Sequence, residues 1–281
     1  MPPASPPVRD SGASVRLAWL TRQPFAWRGS VAPDAPPNTL AALDRASRTG
    51  FGIVIDVQQT FDSDVVVFGD PMLEGLTDIE GAPSAYGANV LQETRIKGTA
   101  HTIPVLMSAL LQVGGRTPII MNAMTTSARM RPLCYAIRRA LEGYRGPCAV
   151  MSTDPEVVCW FGRNMPNIPR AINVTPETAE FGRGAIMPPG MRLLSAVMRA
   201  RPHFMAFQAN SLPNRLATRL RNHGIPILAM GVGSMQAHMR VNNHADNVAI
   251  DTLAMSGAST VASVPHDAQA PQRRAEPGLA R

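Results

Sequence analysis

Residues 53–73 read Ile53-Val54-Ile55-Asp56-Val57-Gln58-Gln59-Thr60-Phe61-Asp62-Ser63-Asp64-Val65-Val66-Val67-Phe68-Gly69-Asp70-Pro71-Met72-Leu73. Two β-branched runs, Ile53–Val57 and Val65–Phe68, flank a short polar turn. The first run is apolar on both faces except for one carboxylate near its end. Continuous rather than alternating hydrophobicity is expected of a strand in a parallel sheet covered on both sides. Gly69 and Asp70 then open a longer, more polar stretch.

Working outward from this stretch, comparable runs recur at Gln23–Ala26, Pro118–Ala123, Cys148–Met151, Arg170–Val174, Phe204–Phe207, Ile225–Ala229 and Val248–Ile250. Segments of helical period fall between them, at Asn38–Arg48, Pro104–Val113, Leu133–Leu141, Pro155–Asn164, Met191–Ala200 and Arg215–His223. In the first of these Leu40, Leu43 and Ala46 share a stripe, and the last runs into Gly224 as a helix stop. Strand and helix in repeated alternation predict a parallel sheet with helices outside. Eight main strands suit a closed α/β barrel, a (β/α)8 TIM-type fold of the usual ~250 residues. The stretch Asp70–Thr102 exceeds an ordinary βα connection and is expected to be a long insertion after the second strand. The chain divides into an N-terminal tail over 1–13, a barrel domain over 14–255 and a tail over 256–281. Both tails are short of the apolar residues that would offset the cost of ordering them.

The 281 residues are 45% hydrophobic and 17% charged, enough apolar material for one large core. No run of ~18 apolar residues occurs, so no membrane span is expected. Met1–Arg22 lacks the apolar centre of a secretory signal. Cys134, Cys148 and Cys159 are scattered and odd in number, which argues against a disulfide framework or a zinc site and for a reducing cytoplasm. The net charge of +7 is carried mostly by arginines spread along the chain. They form no clustered run with interleaved aromatics, so a solvated basic surface is expected rather than a specific nucleic-acid site.

Four segments carry a further signal. The first is Phe25-Ala26-Trp27-Arg28-Gly29 with Pro37-Asn38-Thr39-Leu40. The second is Val54-Ile55-Asp56-Val57-Gln58-Gln59-Thr60 with Val65 to Leu73. The third is Ile103-Pro104-Val105-Leu106 with Pro118 to Met124, and the fourth is Met151-Ser152-Thr153-Asp154-Pro155. In order and spacing, from about residue 23 to 251, they resemble the glycerophosphodiester phosphodiesterase family. The resemblance implies a (β/α)8 barrel, a divalent cation on three strand-end carboxylates and two histidines as general acid and base. It also implies hydrolysis of a glycerophosphodiester to glycerol 3-phosphate and an alcohol, a reaction of phospholipid metabolism. A hard cation would neutralise phosphate charge, and imidazoles would carry protons.

The chemical positions of that pattern are substituted here, while the framework positions are kept. The two family histidines fall on Trp27 and Gly69, so no catalytic position is intact. The two metal glutamates fall on Val54 and Asn122, which leaves Asp56 alone of the metal set. Pro37 stands for a further Glu and Met124 for a Lys, whereas Arg28, Gly29, Asn38, Thr39 and Asp70 match. Neither indole nor glycine can shuttle a proton. The expectation is therefore a member with an eroded site, a non-hydrolytic phosphate-binding or regulatory protein. The alternative is a phosphoric diester hydrolase working through a rearranged site. Arg28, Asn38 and Asp70 are the candidate phosphate-binding residues, with a small phosphate-containing ligand as the implied partner. No cofactor is expected beyond weak Mg²⁺ or Ca²⁺ binding at Asp56, and the residues name no protein partner. Two readings of Arg28 stand side by side, a bidentate phosphate ligand and a structural partner of Asp56 or Asp70. Trp27 is expected to plug the mouth. Gly231-Val232-Gly233 reads as an ordinary βα turn, and His101 is the one histidine placed to lean over the mouth.

Overall fold

The computed structural model describes residues 17–251 except 33, 126–128 and 176–188. Both expected tails, 1–13 and 256–281, lie outside the described residues, as do the ends of the 14–255 domain.

Eight parallel strands close on themselves: β1 (Phe25–Trp27), β2 (Gly52–Gln59), β4 (Ile119–Ala123), β5 (Cys148–Ser152), β6 (Arg170–Val174), β7 (Phe204–Gln208), β8 (Ile227–Val232) and β9 (Asn247–Ile250). Pairing of β1 with both β9 and β2 completes the ring. A ninth strand, β3 (Val65–Val67), lies antiparallel on the end of β2. The (β/α)8 barrel with an insertion after its second strand is therefore the observed fold. Its helices are α1 (Leu40–Arg48), α2 (Ala88–Glu93), α3 (Leu106–Val113), α4 (Met130–Leu141), α5 (Pro155–Asn164), α6 (Pro189–Ala200), α7 (Arg215–Asn222) and α8 (Met235–Val241). None among the described residues is long and apolar enough to cross a membrane.

Residues i and i+2 of a strand share a face, and β2 shows how this sorts its side chains. Ile53, Ile55 and Val57 pack outward under α1, α3 and α4. Val54 instead joins the barrel interior with Phe25, Ile120, Met151, Phe204 and Met230. The strand needs apolar residues at both parities because it is covered on both sides.

Sequence and structure differ at a few borders. β1 runs Phe25–Trp27 rather than 23–26, since Pro24 has no N–H to donate. β8 continues to Val232 through an irregularity between Met230 and Val232. Gly231 lies within β8 and not in a βα turn, and its φ of 68° makes the irregularity.

Within the Asp70–Thr102 insertion, Leu73, Ala88 and Leu91 pack against the flanking Val66, Phe68, Ile103 and Val105 in a small separate core. It is tied back to the barrel by Asp62, whose carboxylate accepts from the Ala88 N–H and the Thr60 hydroxyl. These bonds hold the Asp62 carboxyl below its usual range. Helix α5 shows why the fourth motif is framework. Ser152 Oγ donates to the Ala123 carbonyl of the neighbouring strand, and Asp154 caps α5 by accepting from the Glu156 N–H, with Pro155 in the first turn.

Candidate functional site at the barrel mouth

The C-terminal ends of the strands converge on one mouth, the end where enzymes of this architecture carry their sites. The chain leaves β1 through Arg28, which has φ 58°, and Asn38 has φ 61° just before α1. The Arg28 N–H donates to the Val54 carbonyl, and the Asn38 N–H donates to the Arg28 carbonyl, both at 2.7 Å. Thr39 then caps α1, accepting from the Ala42 N–H. These links bring Arg28, Asn38 and Asp56 together across the first two strands.

Asp56 is the centre of the arrangement. Its side chain is 2% exposed, and Arg28 Nε donates to Oδ2 at 2.6 Å. Asn38 Nδ2 approaches the same oxygen at 3.4 Å, and the Asn38 side-chain oxygen accepts from the Asp56 N–H. Asn122, register partner of Asp56 on β4, donates to Oδ1 at 2.7 Å. Asn173 on β6 extends the chain of amides to Asn122 at 3.4 Å. Both oxygens of the buried carboxylate are thus held by N–H donors, as a buried charge requires.

Arg28 is 31% exposed and leans over the Trp27 ring, with 5.5 Å from its guanidinium carbon to the ring centroid. Its Nη2 also reaches the Gly69 carbonyl at 3.4 Å. Burial works against the guanidinium charge, but Asp56, Asp70 and Asp251 together outweigh it and raise its pKa. Asp70 moves the other way from an ordinary surface acid. Burial raises its pKa, Arg28 lowers it, and Asp56 raises it further, with a net upward shift. The Asp70 carbonyl accepts from Gln58 Nε2, which fixes the start of the insertion beside the mouth.

Two glycines make room for the side chains of the mouth. A β-carbon at Gly69 would lie 2.7 Å from Arg28 Cζ and 2.8 Å from Asp56 Oδ2. The Arg28–Asp56 pair therefore occupies the space into which a side chain at 69 would grow. A β-carbon at Gly231 would collide with the Trp27 ring. Trp27 packs down against the apolar interior, with its Nε1 buried and without a hydrogen-bond partner among the described residues. Gly231 was legible only as a turn residue; its pairing with Trp27 had no local signal. Val54 is fully buried in the interior layer.

Other candidates lie elsewhere. His101 closes a turn of the insertion, its carbonyl accepting from Ile96; no hydrogen bond joins it to Arg28 or Asp56 among the described residues. His203 sits at the start of β7, where its Nδ1 accepts from the Arg170 N–H, and His223 ends α7. Both belong to the opposite end of the barrel. The three cysteines are free and buried, with burial pushing the Cys134 thiol up to about 12 and Cys148 to about 11.

A divalent cation fits this donor set poorly. Ca²⁺ takes 6–8 oxygens and Mg²⁺ near-octahedral oxygen geometry. Here the buried Asp56 carboxylate already accepts at both oxygens, and Asn122 turns its amide N–H, not its oxygen, toward it. Among the described residues, no three His, Cys, Asp or Glu side chains lie close enough together to hold a metal.

The architecture and its strand-end site define a (β/α)8 barrel with one arginine–aspartate pair at the mouth. This fold is similar to that of solved glycerophosphodiester phosphodiesterases. A phosphodiesterase of Oleispira antarctica in complex with the product sn-glycerol-3-phosphate superposes with a TM-score of 0.71 at 18% identity, covering 83% of this chain and 94% of that one. The Thermotoga maritima glycerophosphodiester phosphodiesterase gives 0.65 at 17%, over 82% and 95%. A glycerophosphoryl diester phosphodiesterase of Parabacteroides distasonis gives 0.63 at 18%, over 85% and 88%. At such identities the likeness is one of fold. No family model and no curated protein matches the sequence.

Proposed function

We propose that this chain is a glycerophosphodiester phosphodiesterase relative that binds a phosphate-bearing ligand at Arg28 and lacks the family's hydrolytic machinery. The observation that carries the reading is the state of Asp56, with both oxygens already held by Arg28, Asn38 and Asn122. A carboxylate so engaged cannot also cage a cation without losing those bonds. The indole at 27 and the glycine at 69 cannot transfer protons. General acid–base catalysis is worth roughly 10²–10⁴-fold in such reactions, so hydrolysis by the family route is expected to be lost.

What is left suits binding. The Arg28 side chain is 31% exposed, and its hydrogen bonds among the described residues engage Nε and Nη2. Guanidinium groups bind phosphate oxygens through paired N–H donors. The ligand class is a small phosphate compound of phospholipid turnover, bound in a non-hydrolytic or regulatory role.

The second reading, a phosphoric diester hydrolase with a rearranged site, is favoured by the fold comparisons taken alone. Each of the three similar structures bears a phosphodiesterase name, and one holds glycerol 3-phosphate. One assay separates the two readings. The protein is incubated with glycerophosphocholine and Mg²⁺ or Ca²⁺, and released glycerol 3-phosphate is measured. Release at background is the expected outcome. Turnover within a few fold of a family enzyme would establish the second reading and end the first. Thermal melting with glycerol 3-phosphate then tests binding: a rise in Tm that disappears in Arg28→Gln is expected.

A further inference from the structure

We infer that the Arg28 guanidinium serves as the resident cation of the mouth, so that anion capture here needs no divalent metal. The inference rests on the phosphate-binding reading above and concerns what supplies the positive charge.

The argument starts from charge. Asp56, Asp70 and Asp251 all act on the Arg28 guanidinium, and their combined attraction exceeds the cost of its burial. The cation is covalently part of the chain, and its contact with Asp56 fixes it within the field of the other two acids. Nε lies against Asp56 Oδ2 at 2.6 Å, and Nη2 reaches over the Gly69 carbonyl next to Asp70. Space leads to the same conclusion. Arg28 Cζ stands 2.7 Å from where a β-carbon at Gly69 would be, so glycine at 69 is what admits the guanidinium. The Trp27 ring supports it from one side, and the ring is in turn accommodated by Gly231. Two glycines and one indole thus create the seat for a large planar cation.

The donor set is the third strand of the argument. A divalent ion needs oxygen lone pairs, whereas Asn122 and Asn38 both direct amide N–H groups at Asp56. The environment of Asp56 is built to satisfy a carboxylate paired with an N–H cation. An ion entering this site would have to displace Arg28 from a buried partner and reverse the Asn122 amide. Such an arrangement exchanges a removable cation for a permanent one. Its consequence for binding is insensitivity to chelators.

The test uses isothermal titration of the whole chain with inorganic phosphate and with sn-glycerol 3-phosphate. Each titration is run in EDTA and again in millimolar Ca²⁺ or Mg²⁺. Affinities equal within about twofold under both conditions are expected, since RT ln 2 is only about 0.4 kcal/mol. Arg28→Gln and Arg28→Lys should each weaken binding at least tenfold in both conditions. Binding that appears only with metal would overturn the inference while leaving the phosphate reading intact. Absence of binding in every condition would overturn both. A ligand-independent arm uses Tb³⁺, whose emission an adjacent indole sensitises. Excitation of the wild-type protein should give no saturable emission. Stoichiometric Tb³⁺ emission abolished by Asp56→Asn would place an ion where we put the guanidinium, and would also overturn the inference.

Discussion

Along five of the barrel strands, a step of two residues separates the apolar interior from the polar mouth. Val54 is followed by Asp56 on β2, Ile120 by Asn122 on β4 and Ala171 by Asn173 on β6. Ala206 is followed by Gln208 on β7, and Ala249 by Asp251 after β9. Such a step is about 7 Å along a strand. Below it, side chains are held by exclusion of water and are close-packed. Above it, each polar group needs a named partner, and Asp56 has four donor contacts counting its own N–H. The comparison teaches that positions 54, 69 and 122 are not equivalent. Val54 belongs to the interior, where it stabilises the barrel, whereas Gly69 and Asn122 belong to the mouth, where they shape the environment of one ion pair.

Three substitutions challenge this division, beginning with the largest expected effect. Val54→Glu would put a carboxylate into the apolar layer of Phe25, Ile120 and Met230. An uncompensated buried charge costs about 3–5 kcal/mol, and urea unfolding should show a loss of that order. An undiminished midpoint would mean that position 54 faces the mouth after all.

Gly69→Ala comes next. Its β-carbon would force Arg28 away from Asp56, and overpacking of this kind costs about 1–3 kcal/mol. The cost should shrink in an Arg28→Gly background, which tolerates the left-handed backbone at 28 and leaves only the approach to Asp56 Oδ2. A double-mutant cycle in which the two effects simply add would disprove the shared space.

The smallest effect is expected at Asp70. Burial and Asp56 raise its folded-state pKa despite Arg28. The folded protein therefore holds the proton more readily than the unfolded chain, whose reference value is about 3.9. The stabilisation from protonation is complete below that value and is lost as pH rises through the folded-state pKa. Asp70→Asn should then melt slightly above wild type at pH 7, and the two curves should meet below about pH 4. A variant that melts lower at pH 7 would show that the Asp70 charge is needed to hold Arg28.

Much of the fold was legible before any coordinates. The runs around Ile53–Val57, Pro118–Ala123 and Phe204–Phe207 are apolar at both parities, which only a strand covered on two sides requires. Helix α8 and the short α2 are only six or seven residues long and bury at most two side chains each, too little for a helical stripe to be legible. At the site, the residue types at 27, 28, 56, 69 and 122 were readable, and with them the absence of a titratable side chain at 27, 69 and 122. Pairing Arg28 with Asp56 was one of two open readings, and the structure brings the two together.

What the sequence determined by itself was a barrel and an inventory: which strand ends carry an acid, an amide, an indole or nothing at all. Those follow from periodicity and residue chemistry, which are local properties. Only the tertiary structure decided that the glycines at 69 and 231 make room for the Arg28 and Trp27 side chains, and that Asn38 and Asn122 turn their N–H groups to one buried carboxylate. Those relations join residues separated by 18 to 66 positions, and in the Trp27–Gly231 case by most of the barrel. Closure of the sheet is what brings them within contact, and no local pattern records it.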